Sequence, residues 1–199
     1  MAQILGTMEP LSLTSLQSMR CHFLDHRDDD ISSIVGSMGD LLSGTTDSSV
    51  PIHALHASFT EFLTDCGRSN EYFIDVLPVR ENLALSCLGV MKDQLRFNIC
   101  QLPSSYLPNS KVSDLDGRIK EHISPELAYS CRFWTVHVCD TLFNVSIANA
   151  VRELFSDKEL LFWFEALSLL TSINTCAASL SSLIQWFLVC RLLLRSISI

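Results

Sequence analysis

Apolar residues recur at helical spacing through most of this chain, and one short stretch breaks that rhythm. Leu13, Leu16 and Met19 share a face of a helix expected over Pro10 to Met19, with Ser12 as its cap. Before it, Ile4 and Leu5 run into Gly6 and Glu9-Pro10, the pattern of a helix that began upstream and finishes here. A further helix is expected after Asp28-Asp29-Asp30, whose carboxylates suit a helix N-terminus, and it carries Ile31, Ile34, Val35 and Met38. Then the period changes. Leu41-Leu42 and Val50-Pro-Ile-His-Ala-Leu55 flank a turn of Ser, Gly, Thr and Asp residues, which predicts a short β-hairpin.

The helical period returns at Ser58. Ser58 and Glu61 have the S-x-x-E spacing of a capping box, so a helix is expected to start at Phe59, bury Phe59, Phe62 and Leu63, and stop near Gly67. After a short apolar piece, Tyr72-Phe73-Ile74, a long helix is predicted from about Val79 to Leu95, with Leu83, Ala84, Cys87, Leu88, Met91 and Leu95 on its inner face. Gln101 to Asp116 reads as a loop holding two prolines and Tyr106. Ser124-Pro125 is a cap followed by proline at the first helical position, and Leu127, Cys131, Trp134 and Val138 form the stripe behind it. A capping box at Ser156 to Glu159 is expected to open a helix over Leu160 to Leu170 that is apolar nearly all round and so buried on most sides. The expected organisation is a mainly α chain: a winged-helix-like unit with a short β-hairpin over residues 1–76, a helical bundle or helical linker over 77–182, and an apolar tail over 183–199.

The tail raises the question of a membrane. From Ala166 to Cys190 there is no formal charge, but nine of those positions are Ser, Thr, Asn or Gln, and the purely apolar run from Trp186 to Cys190 is five residues long. A buried helix end is the leading reading, with membrane contact through residues 180–199 as the alternative. The amino terminus lacks a basic segment followed by an apolar core, so no secretory signal is read and a cytoplasmic location is expected. Eight cysteines at irregular spacing, with no C-x-x-C pair, are then expected as reduced thiols, several of them acting as small hydrophobes.

Composition narrows the chemistry. The hydrophobic content of 48% supports a packed core, and the net charge is −8, with no two Lys or Arg residues adjacent. Nucleic-acid binding needs clustered positive charge to displace counterions, and the helix from Asp28 to Leu42 presents acids where a recognition helix presents Arg, Lys or Asn, so no nucleic-acid partner is expected. There is no Walker A loop, no G-x-G-x-x-G and no G-x-S-x-G, and the chain is expected not to be an enzyme. His22 and His26 lie four apart beside Cys21, yet no further ligand has suitable spacing. His53 and His56 have H-x-x-H spacing, but three residues along a strand point to opposite faces. Cys131, His137 and Cys139 do not converge on one helix face, and Trp134 with Phe133, like Trp163 with Phe162 and Phe164, reads as core. No metal site is predicted.

His56 stands apart, at the mouth of the helix after the hairpin. A helix N-terminus disfavours imidazolium, so a histidine there tends to stay neutral and can donate one ring N–H to an anion. The alternative, which the residues from His56 to Asp65 taken alone favour, is a histidine packed over the helix end and bonded to backbone. The stretch Leu55-His-Ala-Ser-Phe-Thr-Glu-Phe-Leu63 resembles the histidine motif in the winged-helix subdomain of NACHT-type signalling ATPases, the STAND class that includes NOD-like receptors. The wider run, through PLSLTSLQSM, VGSMGDLLSGTTD, VPIHALHASFTEFLTD, LRFNICQLPSSYLPNS, ISPELAYSCRFW and ELLFWFEALSLL, is similar to the segment after the ATPase core in fungal NACHT proteins that continue into WD repeats, over roughly residues 1–180. The resemblance implies a non-enzymatic regulatory or linker module whose partner is a NACHT ATPase domain, in cis or in trans. It implies further that His56 contacts the β-phosphate of ADP held by that domain and so latches a resting state. The phosphate loop of such an ATPase is not in this sequence, and no WD repeat follows. This chain is therefore expected to need no cofactor of its own, and ADP or ATP is expected only where an upstream ATPase domain is present.

Overall fold

The computed structural model describes residues 2–22, 35–156 and 158–197, and it is mainly helical with a small three-stranded antiparallel sheet. The chain divides into two compact units, Met1–Ser86 and Cys87–Ile199.

The first unit builds its sheet from short pieces. After helix α1 (Ala2–Gly6) comes strand β1 (Leu11–Ser12), then helix α2 (Leu13–Arg20), and then β2 (Leu42–Ser43) and β3 (Pro51–Ala54). The strand order is β1-β3-β2, with Leu11 opposite Ile52 and Leu42 opposite Ala54. Helix, strand, helix and a strand pair thus follow one another, with residues 23–34 outside the described residues. The turn between β2 and β3 is held by Asp47, whose carboxylate accepts the Ser49 amide at 2.9 Å and its hydroxyl at 2.7 Å. Gly44 has φ +77°, and a Cβ there would collide with the Pro51 carbonyl, so the position requires glycine. Leu11, Leu16, Met19, Leu42 and Ile52 are buried together with Val79, Leu83 and Ala84 of helix α5 (Val76–Gln94). Ser86 donates its hydroxyl to the Met19 carbonyl at 3.0 Å, which satisfies an acceptor at the end of α2.

Four expectations for this unit need correction. The helix expected from Pro10 begins at Leu13, because Ser12 is indeed its cap, taking the Ser15 amide at 3.2 Å, and Leu11–Ser12 pair with β3 instead. The helix after the hairpin, α3, spans Ala57–Leu63 and is capped by His56, so Ser58 lies inside it rather than ahead of it. Phe59 and Phe62 are not buried as expected; Leu63 is. Gly67 does not end that helix but lies within a separate turn, α4 (Cys66–Ser69), capped by Asp65. The helix expected after Asp28 falls mostly outside the described residues, as does His26; residues 35–37 are helical and Val35 is buried.

The second unit is a helical assembly around α7 (Pro125–Cys139), which packs against α9 (Glu159–Leu169) and α10 (Cys176–Ile197). Ser124 caps α7 as expected, and Leu127, Cys131, Trp134 and Val138 are buried as one stripe. Trp134 and Trp163 meet edge to face with centroids 5.6 Å apart, and the Trp163 indole N–H donates to the Cys131 carbonyl at 2.8 Å. Trp186 donates likewise to the Thr141 carbonyl at 3.1 Å, so the apolar tail is tied into this unit by Leu183 and Trp186, both buried. The inner face expected for α5 is buried throughout, from Leu83 to Met91, and Leu95 just beyond its end is buried too.

Here too the boundaries shift. Ser156 does not open α9: its hydroxyl donates to the Glu153 carbonyl at 2.8 Å and closes the preceding helix, α8 (Val145–Phe155), while Lys158 stands at the start of α9 with no side-chain cap. Leu161 of α9 is exposed, so that helix is less enclosed than its composition implies. Asp116 lies in helix α6 (Leu115–His122) rather than in a loop. No helix of the described residues is long and apolar enough to cross a membrane.

Candidate functional site

The hairpin delivers His56 to the start of α3 in extended backbone, φ −143° and ψ 137°. Its Nδ1 accepts the Ser58 backbone N–H at 3.1 Å and lies 2.7 Å from the Ser58 hydroxyl. A ring nitrogen that accepts from an amide carries no proton, which assigns the neutral ring's N–H to Nε2. The residue is exposed. His56 is thus held by one nitrogen and has the other as a donor, with its orientation fixed by the chain's own backbone. The sequence places a Ser-Glu capping box here; the imidazole performs the capping because its Nδ1 reaches the amide two residues on, as an aspartate oxygen would.

His53 faces a different partner. Its Nε2 lies 2.9 Å from the Ser43 hydroxyl across the β2–β3 pair. The two histidines of the H-x-x-H spacing are therefore each engaged separately. Among the described residues no group of three or more His, Cys, Asp or Glu side chains could hold a metal ion.

The second unit hides its reactive groups. His137 is buried, with Nε2 2.6 Å from the Tyr129 hydroxyl, and burial lowers its pKa to about 4 despite the opposing charge of Asp140. Burial likewise pushes the Cys87 and Cys131 thiols up to about 12, far from a thiolate nucleophile at neutral pH. Cys139 is half-buried with its pKa raised by the same cause, whereas in the first unit Cys21 is exposed, its thiol donating to the Gln17 carbonyl at 3.5 Å. Trp134 and Trp163 are core, as their spacing implies.

Comparison with protein-family models, with curated proteins and with solved structures gives no match for this chain.

Proposed function

We propose that this chain is a non-enzymatic regulatory and linker module of a NACHT/STAND-type signalling ATPase, acting in the cytoplasm, in which His56 latches ADP held by an adjoining ATPase domain. The observation that carries the reading is the division of labour in the His56 ring: Nδ1 is occupied by the Ser58 amide, and the neutral ring's Nε2–H is the donor left for a phosphate oxygen. The small antiparallel sheet among helices in the first unit and the sequence resemblance support it. A charge-assisted bond of this kind contributes about 1.5 to 3 kcal/mol, enough to bias two arrangements of neighbouring domains by roughly tenfold or more.

The test uses this module joined to a phosphate-loop ATPase domain. His56→Asn keeps an oxygen that can cap α3 but removes the distal N–H, so ADP dissociation is expected to accelerate about tenfold with the thermal midpoint unchanged. Unaltered ADP retention rejects the latch. On its own the chain is expected to take up no labelled ADP or ATP in equilibrium dialysis, and micromolar binding rejects the assignment of the nucleotide to another domain.

A second reading, a helical protein held at a membrane by its carboxyl-terminal segment, draws on Ile184, Leu188 and Val189, which are exposed on α10. Recovery of the chain in the membrane pellet after carbonate extraction favours that reading over the first.

A further inference from the structure

The segment from Phe97 to Lys111 displays aromatic surface on an anchored frame. Phe97 is 78% exposed and Tyr106 95% exposed, and both line one cavity of about 620 Å³ with Asn98, Pro103 and Glu165. The frame is fixed at several points. The Asn98 side chain donates to the Leu102 carbonyl at 3.0 Å and accepts the Leu102 amide at 2.7 Å. Arg118 donates to the Gln101 carbonyl at 2.9 Å, and the Asn109 carboxamide reaches Ser168 of α9 at 3.3 Å. Asn98 and Gln101 both hold left-handed backbone, φ 49° and 52°, which is stable only where such contacts over-determine it.

Glu165, also from α9, is half-buried in the wall of this cavity. One carboxylate oxygen accepts the Asn98 amide at 3.1 Å, and among the described residues Glu165 has no cation within ion-pair distance. A half-buried carboxylate in the wall of a cavity lined by two aromatic side chains, whose π-systems attract cations, favours a cation there. Arg96 and Arg118 act on the neighbouring Cys100 but form no ion pair with Glu165. A neutral guest leaves the carboxylate without a counterion. A strongly hydrated metal ion would find a single carboxylate and no further acidic ligand there. A weakly hydrated organic cation satisfies both the rings and the acid.

We propose that the Phe97–Tyr106–Glu165 cavity binds an alkylammonium group. Two sources carry that chemistry, a free small cation such as choline and a methylated lysine side chain of a peptide.

The experiment is an NMR titration of the full chain, following the Phe97 and Tyr106 ring signals at constant ionic strength. Choline chloride is expected to shift both and to saturate in the millimolar range, with the neutral tert-butyl analogue of choline about tenfold weaker. Glu165→Gln retains a carbonyl oxygen for the Asn98 amide and is expected to reduce choline binding to the level of the neutral analogue. Tyr106→Ala removes an almost fully exposed ring without touching the core, and is expected to weaken choline severalfold. A trimethyllysine peptide that binds more tightly than choline supports the site and assigns the peptide source, and one that binds more weakly supports it with the free cation. Equal responses to choline and its neutral analogue, or choline binding that survives both substitutions, overturns the proposal.

Discussion

The end of the hairpin and the interior of the helical unit each hold a histidine, and the two are used in opposite ways. His56 is exposed, with one nitrogen spent on its own backbone. His137 is 1% exposed, with Nε2 against the Tyr129 hydroxyl and a pKa lowered to about 4. A hydrogen bond on the ring is common to both and therefore does not tell an accessible histidine from an enclosed one. What separates them is whether the remaining face of the ring reaches solvent, and that property belongs to the fold rather than to the neighbouring residues in sequence.

The contrast can be broken hardest on the buried side. Trp163→Ala removes an indole that fills the core and bonds the Cys131 carbonyl, so chemical denaturation is expected to show a loss of about 3 to 5 kcal/mol. Acid sharpens the contrast without mutation. The unfolded chain takes up a proton at His137 near pH 6.5 and the folded chain only near pH 4, so the His137 contribution is intact above pH 6.5 and is lost progressively as pH falls to 4. Denaturation midpoints measured across that window are expected to decline by at most about 1.4 kcal/mol per pH unit on this account, and His137→Phe should flatten the decline. On the exposed side the effects shrink. His56→Ala removes only the cap of α3 and is expected to cost about 0.5 to 1 kcal/mol in the same assay. Smallest is Lys92→Met, which deletes an exposed 2.7 Å ion pair with Glu153 and is expected to leave the thermal midpoint where it was.

Where a pattern is long, the sequence is a sound guide to this fold. The inner face of α5, the Ser124-Pro125 start of α7 and the β2–β3 hairpin are all legible, because each rests on several residues in one period or on a specific turn. Strand β1 is two residues long, too short to show any alternation, and it exists only because β3 offers it a partner. Helix α6 is missed for a different reason: it has no buried residue and contains Gly117, so neither stripe nor propensity marks it. Helix α8 did carry a signal, an Asn144 cap followed by Ile147, Ala148, Val151 and Leu154 on one face. At Ser156 and Ser58 the S-x-x-E spacing predicts helix starts that the structure does not have, since Ser156 closes the helix behind it and Ser58 lies inside a helix capped by a histidine. The Phe97–Tyr106–Glu165 cavity joins residues nearly seventy positions apart and has no local signature.

All three tryptophans, Trp134, Trp163 and Trp186, lie in the second unit and are buried. Tryptophan emission, excited selectively at the red edge, is thus a built-in reporter for that half alone, blind to the sheet that presents His56. Melting followed by emission and by far-ultraviolet dichroism will superimpose only if both halves come apart in one cooperative event.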